Sequence, residues 1–172
     1  AKAALVLVFC ADCKKWYAAY RDAGLSPRAP GAGDLMLAMT DAAIAAQNAV
    51  TAAESLGIGS CYIGDIMERC QEQRRLLGLP DYVFPAVMLV FGRPTRQQAD
   101  RVKPGRCPLE QIVHQNGYRS MEGPELRRML DHTRKGRPYE EWLTAFWKRK
   151  YESDFSREMT RSVAEYLEQY QR

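Results

Sequence analysis

Three glycines fall within the twelve residues 55–66, SLGIGSCYIGDI. Glycines at this density can let backbone N–H groups hold the phosphates of a nucleotide. A dinucleotide-binding fingerprint, however, places a strand before GxGxxG and a helix after it. Here Gly57 and Gly59 follow an alanine-rich, helix-like segment and precede an apolar one, and the spacing to Gly64 does not fit. No Lys-Ser or Lys-Thr completes a P-loop, so both nucleotide loops are excluded.

The three glycines have different local interpretations. Gly57 is predicted at the C′ position of a helix, and Gly59 is predicted in a turn. Gly64 ends a short strand candidate, SCYIG, and Asp65 is predicted to cap the next helix with Glu68 as its capping-box partner. Because glycine has no Cβ, a flat ligand could approach the backbone at Gly64. An ordinary turn glycine is the alternative that the local pattern leaves open.

Thiols and imidazoles are few and widely spaced. Cys10 and Cys13 form a CxxC, but the two histidines, His114 and His132, do not lie at metal-ligand spacing, so no metal site is predicted. We interpret the CxxC as two thiols at the end of a strand. Cys61 has no adjacent base and is predicted to be packed. The five cysteines are unlike a secreted disulfide scaffold and favour a cytoplasmic protein.

The charge pattern argues against two classes of partner. The net charge of +4 in 172 residues is mild, and basic residues alternate with acidic ones, as in KRKYESDFSRE. Such interleaving is typical of solvated helix faces, so nucleic acid is not predicted as a partner. No apolar run reaches the ~18 residues of a membrane span, so no membrane partner is predicted either.

The apolar pattern predicts a single domain over 1–172. A helix is predicted to follow Thr40 as its cap and to cover 41–56; its alanine-rich face suits a core or a subunit interface. The other predicted elements are strands at 4–9, 60–64 and 84–94 and helices at 124–134, 138–150 and 156–171. A basic loop, RVKPGRCP, occupies 101–108.

The two long predicted strands are apolar throughout, which is typical of strands covered on both faces and paired at both edges. Three strands offer few such neighbours. The chain also enters its first strand almost at once and does not begin with Met. We therefore expect further strands to come from a partner subunit or from a segment preceding Ala1.

Three segments together resemble the flavin-dependent nitroreductase family, in the branch of NADPH-dependent nitro- and flavin reductases. They are DAAIAAQNAVTAAESLGIGSCYIGDI, LLGLPDYVFPAVMLVFGRPT and KPGRCPLEQIVHQNGY, within a match over about 5–118. The resemblance implies an α+β fold whose central mixed β-sheet is flanked by helices. It also implies an intertwined homodimer, held through the 40–56 helix and a C-terminal helical arm at 138–172, with FMN bound between the subunits.

The resemblance also implies the cofactor-binding residues. The family's YIG matches Tyr62, Ile63 and Gly64, where the backbone would run along the isoalloxazine ring, and Asp65 occupies the next position. The family's phosphate-binding KPR matches Lys103, Pro104 and Arg106, with Gly105 as an extra residue. A guanidinium can grip a phosphate bidentately, and an ammonium adds charge.

The implied activity is ping-pong hydride transfer with NAD(P)H as co-substrate and nitroaromatics, quinones or free flavin as acceptors. No acid or base on the protein is assigned, and His114 is interpreted as structural. The family's N-terminal Arg-x-Ser and Asn-x-Gln-Pro-Trp stretches have no match here. The alternatives are flavin fragmentation or reductive dehalogenation on the same scaffold, or a non-catalytic dimeric flavin-binding or scaffold protein if the chain is complete.

Overall fold

The computed structural model describes residues 3–171, which form two compact units. The first unit comprises 3–95 and 154–171, and the second comprises 96–153. Elements of the first unit are β1 (Leu5–Asp12), α1 (Lys14–Asp22), α2 (Ala32–Ser55), β2 (Gly59–Ile63), a 3₁₀ turn (Gly64–Met67), α3 (Cys70–Leu77), β3 (Val83–Gly92), α7 (Asp154–Leu167) and a 3₁₀ turn (Glu168–Tyr170). Elements of the second unit are α4 (Arg96–Ala99), a 3₁₀ turn (Leu109–Gln111), α5 (Pro124–Arg134) and α6 (Tyr139–Lys150).

The sheet of the first unit has the order β1-β3-β2, and both pairs are antiparallel. Its central strand, β3, is the most buried of the three, as its continuous apolar sequence predicts. The α+β class is therefore confirmed. The sheet differs from the mixed sheet that the resemblance implies, because no parallel pair occurs among the described strands.

Helix α2 packs its alanines on the sheet. Ala46 is fully buried beside Leu89 of β3, and Ala53 lies in the same cluster as Phe91. Small side chains let the helix backbone approach the strands closely, so this face of α2 is a core face, as predicted. The helix ends at Ser55, and Gly57 adopts a φ of 72° at the predicted C′ position.

The beginning of α2 corrects the sequence prediction. Thr40 is not a cap but lies inside the helix, where its hydroxyl donates to the carbonyl oxygen of Met36 at 3.0 Å. The helix begins at Ala32 because the Asp34 carboxylate accepts a hydrogen bond from the Gly31 N–H at 2.8 Å. A local capping box thus extends the helix beyond the periodic apolar region.

The C-terminal helix α7 belongs to the same core as the sheet. Tyr166 is fully buried and packs edge-on against Phe84 of β3, with ring centroids 4.8 Å apart. Helix α7 also contacts α3 and the turn at Gly64–Met67. The helix predicted at 156–171 is confirmed as a helix followed by a 3₁₀ turn.

The second unit pairs α5 with α6, close to the predicted helices at 124–134 and 138–150. Arg127 on α5 forms an ion pair with Glu140 at 2.6 Å, and its guanidinium lies 4.4 Å from the ring centroid of Tyr139. Gln111 is buried and donates to the backbone oxygen of Glu125 at 3.2 Å. Across 3–171, none of the helices is both long and apolar enough to cross a membrane.

Candidate functional site

The stretch Tyr62–Asp65 links an edge strand to a tight turn. Strand β2 pairs only with β3, so its other edge has no strand neighbour among the described residues. The Tyr62 side chain is 47% exposed, yet its hydroxyl donates to Oε1 of Gln47 on α2 at 3.0 Å. This hydrogen bond fixes a partly open aromatic ring at the end of β2.

The three glycines in and before this stretch, Gly57, Gly59 and Gly64, differ in whether the structure requires a glycine at that position. Gly57 adopts the left-handed region, which favours glycine. The prediction that Gly59 lies in a turn is wrong, because it is the first residue of β2, paired with Gly92 of β3. A Cβ there would lie 3.3 Å from the backbone oxygen of Gly92, so packing against β3 requires a small residue. At Gly64 neither reason applies, because its φ is not positive and a Cβ would meet no atom within 4 Å. Glycine at 64 thus leaves an open patch of backbone surface.

Asp65 does not have the predicted capping role. It lies within the 3₁₀ turn, where its backbone carbonyl accepts the Glu68 N–H at 3.0 Å. Helix α3 begins only at Cys70, after Arg69 in a left-handed conformation, and no local side chain caps it. The predicted capping box of Asp65 and Glu68 is therefore wrong, because the chain completes a tighter turn before the helix begins.

Lys103 and Arg106 lie on the exposed loop of the second unit that connects α4 to the turn at Leu109–Gln111. Across residues 3–171, neither forms an ion pair or a hydrogen bond through its side chain. Gly105 between them approaches α5 closely, since a Cβ there would lie 3.3 Å from the Cβ of His132. The extra glycine therefore lets the loop pack against α5 while both cations stay available to an anion.

The six predicted site residues thus form two groups. Tyr62, Ile63, Gly64 and Asp65 are contiguous on the first unit, and Lys103 and Arg106 share a loop of the second unit. The first group offers an open backbone surface, and the second offers two uncompensated positive charges.

Cys10, Cys13 and His114 have structural surroundings, whereas Cys61 is exposed on the edge strand β2, so the prediction that it is packed is wrong. Burial raises the pKa of the Cys10 and Cys13 thiols, and neighbouring carboxylates raise it further, so both are protonated at neutral pH. Nδ1 of His114 accepts the Arg119 N–H at 3.2 Å, and its ring packs on Tyr118 with centroids 5.0 Å apart. No group of three or more metal-ligating side chains occurs within 3–171.

Sequence reasoning missed two features of the first unit. One is a cavity of about 840 Å³ between β1, α1 and α2, whose aromatic wall is Trp16, Tyr17 and Tyr20. The aromatic residues in KKWYAAYRD gave the only available signal. The other is a set of contacts from α7 to the segment after Asp65, joining residues about 90 positions apart. No local pattern announces such contacts.

Comparison with known proteins identifies the family. The sequence of residues 1–93 matches the model of the Nitroreductase family. The chain belongs to the nitroreductase family. This nitroreductase-family chain is 40% identical over 128 residues to an oxygen-insensitive NADPH nitroreductase of Salmonella typhimurium, covering 74% of the chain and 50% of that relative. It is 31% identical over 169 residues to an FMN reductase [NAD(P)H] of Bacillus subtilis, covering 97% of the chain and 64% of that relative.

A solved structure supports the same fold. An NADPH:FMN oxidoreductase from Vibrio harveyi, complexed with NAD⁺, superposes with a TM-score of 0.72 at 25% identity, covering 96% of this nitroreductase-family chain and 67% of the other. The chain spans about half the length of the first relatives it matches, 48% and 50%. The chain therefore has the fold of the family to which it belongs.

Proposed function

We propose that this chain acts as an FMN-dependent NAD(P)H oxidoreductase. The observation that carries the proposal is Gly64, a glycine that neither backbone conformation nor packing requires, at the exposed end of an edge strand. An open backbone surface is what a flat ring system needs for close approach. Relatives named FMN reductase [NAD(P)H] and oxygen-insensitive NADPH nitroreductase support the same cofactor pair.

The residues present fit FMN in chemical type. Tyr62–Asp65, which we call the flavin strip, would lie along the isoalloxazine ring through its backbone. When bound, FMN supplies a ring that accepts a hydride from NAD(P)H and passes it to an acceptor. Nitroaromatics, quinones and free flavin are the acceptors we propose. The chain itself binds and orients the ring, and the strip needs no acid or base of its own for that task.

Lys103 and Arg106 would hold the phosphate of FMN. Both side chains are exposed and lack partners in the described part of the chain, so binding an anion breaks no existing ion pair. The Arg106 guanidinium can donate two parallel hydrogen bonds to phosphate oxygens, and the Lys103 ammonium adds a point charge. This is the chemistry that the family's phosphate-binding motif uses.

We also propose that the active form is a homodimer formed through α2 and the C-terminal region. Several large apolar side chains of α2 and its C-terminal end are exposed, notably Leu37 at 72%, Ile44 at 57% and Leu56 at 75%. Exposed apolar groups in such density are typical of a protein interface. Ile44→Glu should halve the molecular mass measured by light scattering. An unchanged molecular mass would contradict a dimer interface at Ile44.

The absorption spectrum of the purified chain tests the proposed function. We expect added FMN to bind with quenching of its fluorescence, and NADPH to bleach the bound flavin in the absence of air. Adding a nitroaromatic or quinone should restore the oxidised spectrum. A folded protein that does not bind added FMN would overturn the proposal. Bound flavin that NADPH does not bleach would leave a flavin-binding protein without this activity.

A further inference from the structure

The segment that follows the flavin strip is held from a distance by one buried hydroxyl. Ser162 on α7 is fully buried. Its Oγ donates to the backbone oxygen of Met67 at 2.6 Å and accepts the backbone N–H of Cys70 at 2.9 Å. Met67 is the last residue of the 3₁₀ turn that begins at Gly64, and Cys70 is the first residue of α3. One side chain thus connects the end of the turn to the beginning of the helix.

Two further side chains of α7 bind the same segment. Oε1 of Glu158 accepts the backbone N–H of Arg69 at 3.1 Å, and the Tyr166 hydroxyl donates to the backbone oxygen of Cys70 at 3.4 Å. Glu158, Ser162 and Tyr166 are spaced by four residues, so they share one face of α7. This face presents three side chains to the backbone of a single four-residue connection.

The connection needs support from outside because it lacks its own. Arg69 has a φ of 52°, a left-handed conformation that a non-glycine residue adopts at an energetic cost. Helix α3 has no side-chain cap at its N-terminus. The Ser162 hydroxyl and the Glu158 carboxylate accept the backbone N–H groups of Cys70 and Arg69, which lie at the start of α3 where N–H groups have no partner within the helix.

We infer that α7 acts as a clasp that sets the position of the flavin strip, with Ser162 and Glu158 as positioning residues for FMN binding. The inference rests on the proposed function. Met67 lies two residues after Asp65, so a shift of its carbonyl moves the turn that carries Gly64 and Asp65. The hydrogen bonds of the clasp go to Met67, Arg69 and Cys70, so it acts on the strip through the Met67–Cys70 backbone.

Glu158 and Glu165 provide a matched pair for the test. Both carboxylates pair with Arg161 at 2.8 Å, and their side chains are 31% and 32% exposed. Glu158 also accepts the backbone N–H of Arg69 in the connection, whereas Glu165 accepts the side-chain amide of Gln71 on α3 and no backbone N–H of the connection. Glu158→Ala should weaken FMN binding by about threefold to tenfold, whereas Glu165→Ala should leave the Kd within about twofold. FMN fluorescence quenching measures the Kd, and amide hydrogen exchange at Arg69, whose N–H loses its acceptor, should be faster only in the first variant.

Removing the buried hydroxyl should have the larger effect. Ser162→Ala leaves the Cys70 N–H and the Met67 carbonyl without partners, and should raise the Kd for FMN at least about tenfold. Ser162→Thr keeps the hydroxyl and should restore tight binding. Tyr170→Phe is the control, since the buried Tyr170 hydroxyl has no hydrogen-bond partner in the part of the chain that the structure describes.

The outcomes separate the clasp from the proposed function. Parent protein that binds no FMN overturns the proposed function and the flavin role of α7 with it. Parent protein that binds FMN, with equal Kd values for Glu158→Ala and Glu165→Ala, overturns the clasp alone. If Ser162→Ala does not fold, the comparison of the two half-buried glutamates still decides the question. Equal exchange rates at Arg69 in both glutamate variants would likewise count against the clasp.

Discussion

The two groups of proposed cofactor residues are built in opposite ways. The flavin strip spans the end of β2 and the beginning of a 3₁₀ turn. Its Tyr62 hydroxyl is hydrogen-bonded to α2, and the backbone after the strip is bound by α7. The loop at 101–108 is exposed over most of its length, and Lys103 and Arg106 have no partners within 3–171. The difference follows from the proposed ligand. A rigid ring needs a surface held in place, whereas a phosphate needs charge that can reach it.

The strongest test of the rigid region is Gly64→Ala. We expect a 10- to 100-fold loss of FMN affinity, roughly the effect of overpacking a tight contact, because the new methyl group would occupy the open surface. Thermal stability should be unchanged or slightly higher, since no protein atom lies within 4 Å of the added Cβ. Fluorescence quenching and a thermal melt measure the two quantities.

Two other glycines are the controls for that result. Gly33 in α2 also has open space around its Cβ position and no positive φ, so Gly33→Ala should change neither FMN affinity nor the fold. Gly57→Ala should instead cost about 1 kcal/mol of stability, since its φ is 72°. Normal FMN binding by Gly64→Ala would remove the central support for the proposed function.

The contribution of the loop at 101–108 to FMN affinity should depend on the charges of its side chains and not on their shape. Arg106→Ala should weaken FMN binding about tenfold while leaving riboflavin, which has no phosphate, unaffected. Lys103→Ala should have a smaller effect of the same kind, and both losses should shrink as salt is added. Arg101→Ala removes the same charge from the same loop and is the matched control. Equal losses for FMN and riboflavin would contradict a phosphate role.

Tyr62→Phe tests how much the hydrogen bond between the flavin strip and α2 contributes to FMN binding. The variant loses the hydrogen bond to Gln47 but keeps the ring, so we expect about a threefold rise in the Kd for FMN and a stability loss below about 1 kcal/mol. Gln47→Leu removes the other partner and should match it. If the two variants differ widely, the Tyr62 hydroxyl has a role beyond its bond to α2.

Elements with a strong local pattern could be predicted from the sequence. The apolar runs predicted β1 and β3, the helical spacing predicted α5 and α6, and Gly57 predicted the end of α2. These features depend on residues close together in the chain. The prediction that one domain covers 1–172 and that 138–172 forms an arm stays a prediction, as do the six site residues.

What failed depended on contacts that no local pattern encodes. Thr40 looked like a cap because the apolar period begins after it, yet Asp34 caps the helix at Gly31. Asp65 and Glu68 had capping-box spacing, but α7 supplies the partners of the connection from about 90 residues away. A distant hydroxyl and carboxylate replaced the local cap. Sequence reasoning therefore proposed the flavin strip but missed the contacts that hold the segment after it.

The smallest predicted effect concerns the anchor of the strip, helix α2. The hydrogen bond from Arg28 and that from the Gly31 N–H hold the pKa of Asp34 at about 2, below its ordinary value of 3.8. A carboxyl with a lowered folded-state pKa stabilises the fold above the unfolded pKa and loses that contribution as the pH falls through the folded one. Asp34 should therefore stabilise α2 fully at neutral pH and lose this effect between about pH 4 and pH 2.

Asp34→Asn should lower the melting temperature modestly at pH 7. Between about pH 4 and pH 2, the melting temperature of the variant should fall less steeply than that of the parent. The effect should be small because the Arg28 side chain is 73% exposed and solvent screens the pair. Gln47 lies in the C-terminal half of α2, far from Gly31, so fraying at Gly31 should not reach the hydrogen bond between Gln47 and Tyr62. FMN affinity of Asp34→Asn should thus equal that of the parent at pH 7, and a loss would show that the strip depends on the whole of α2.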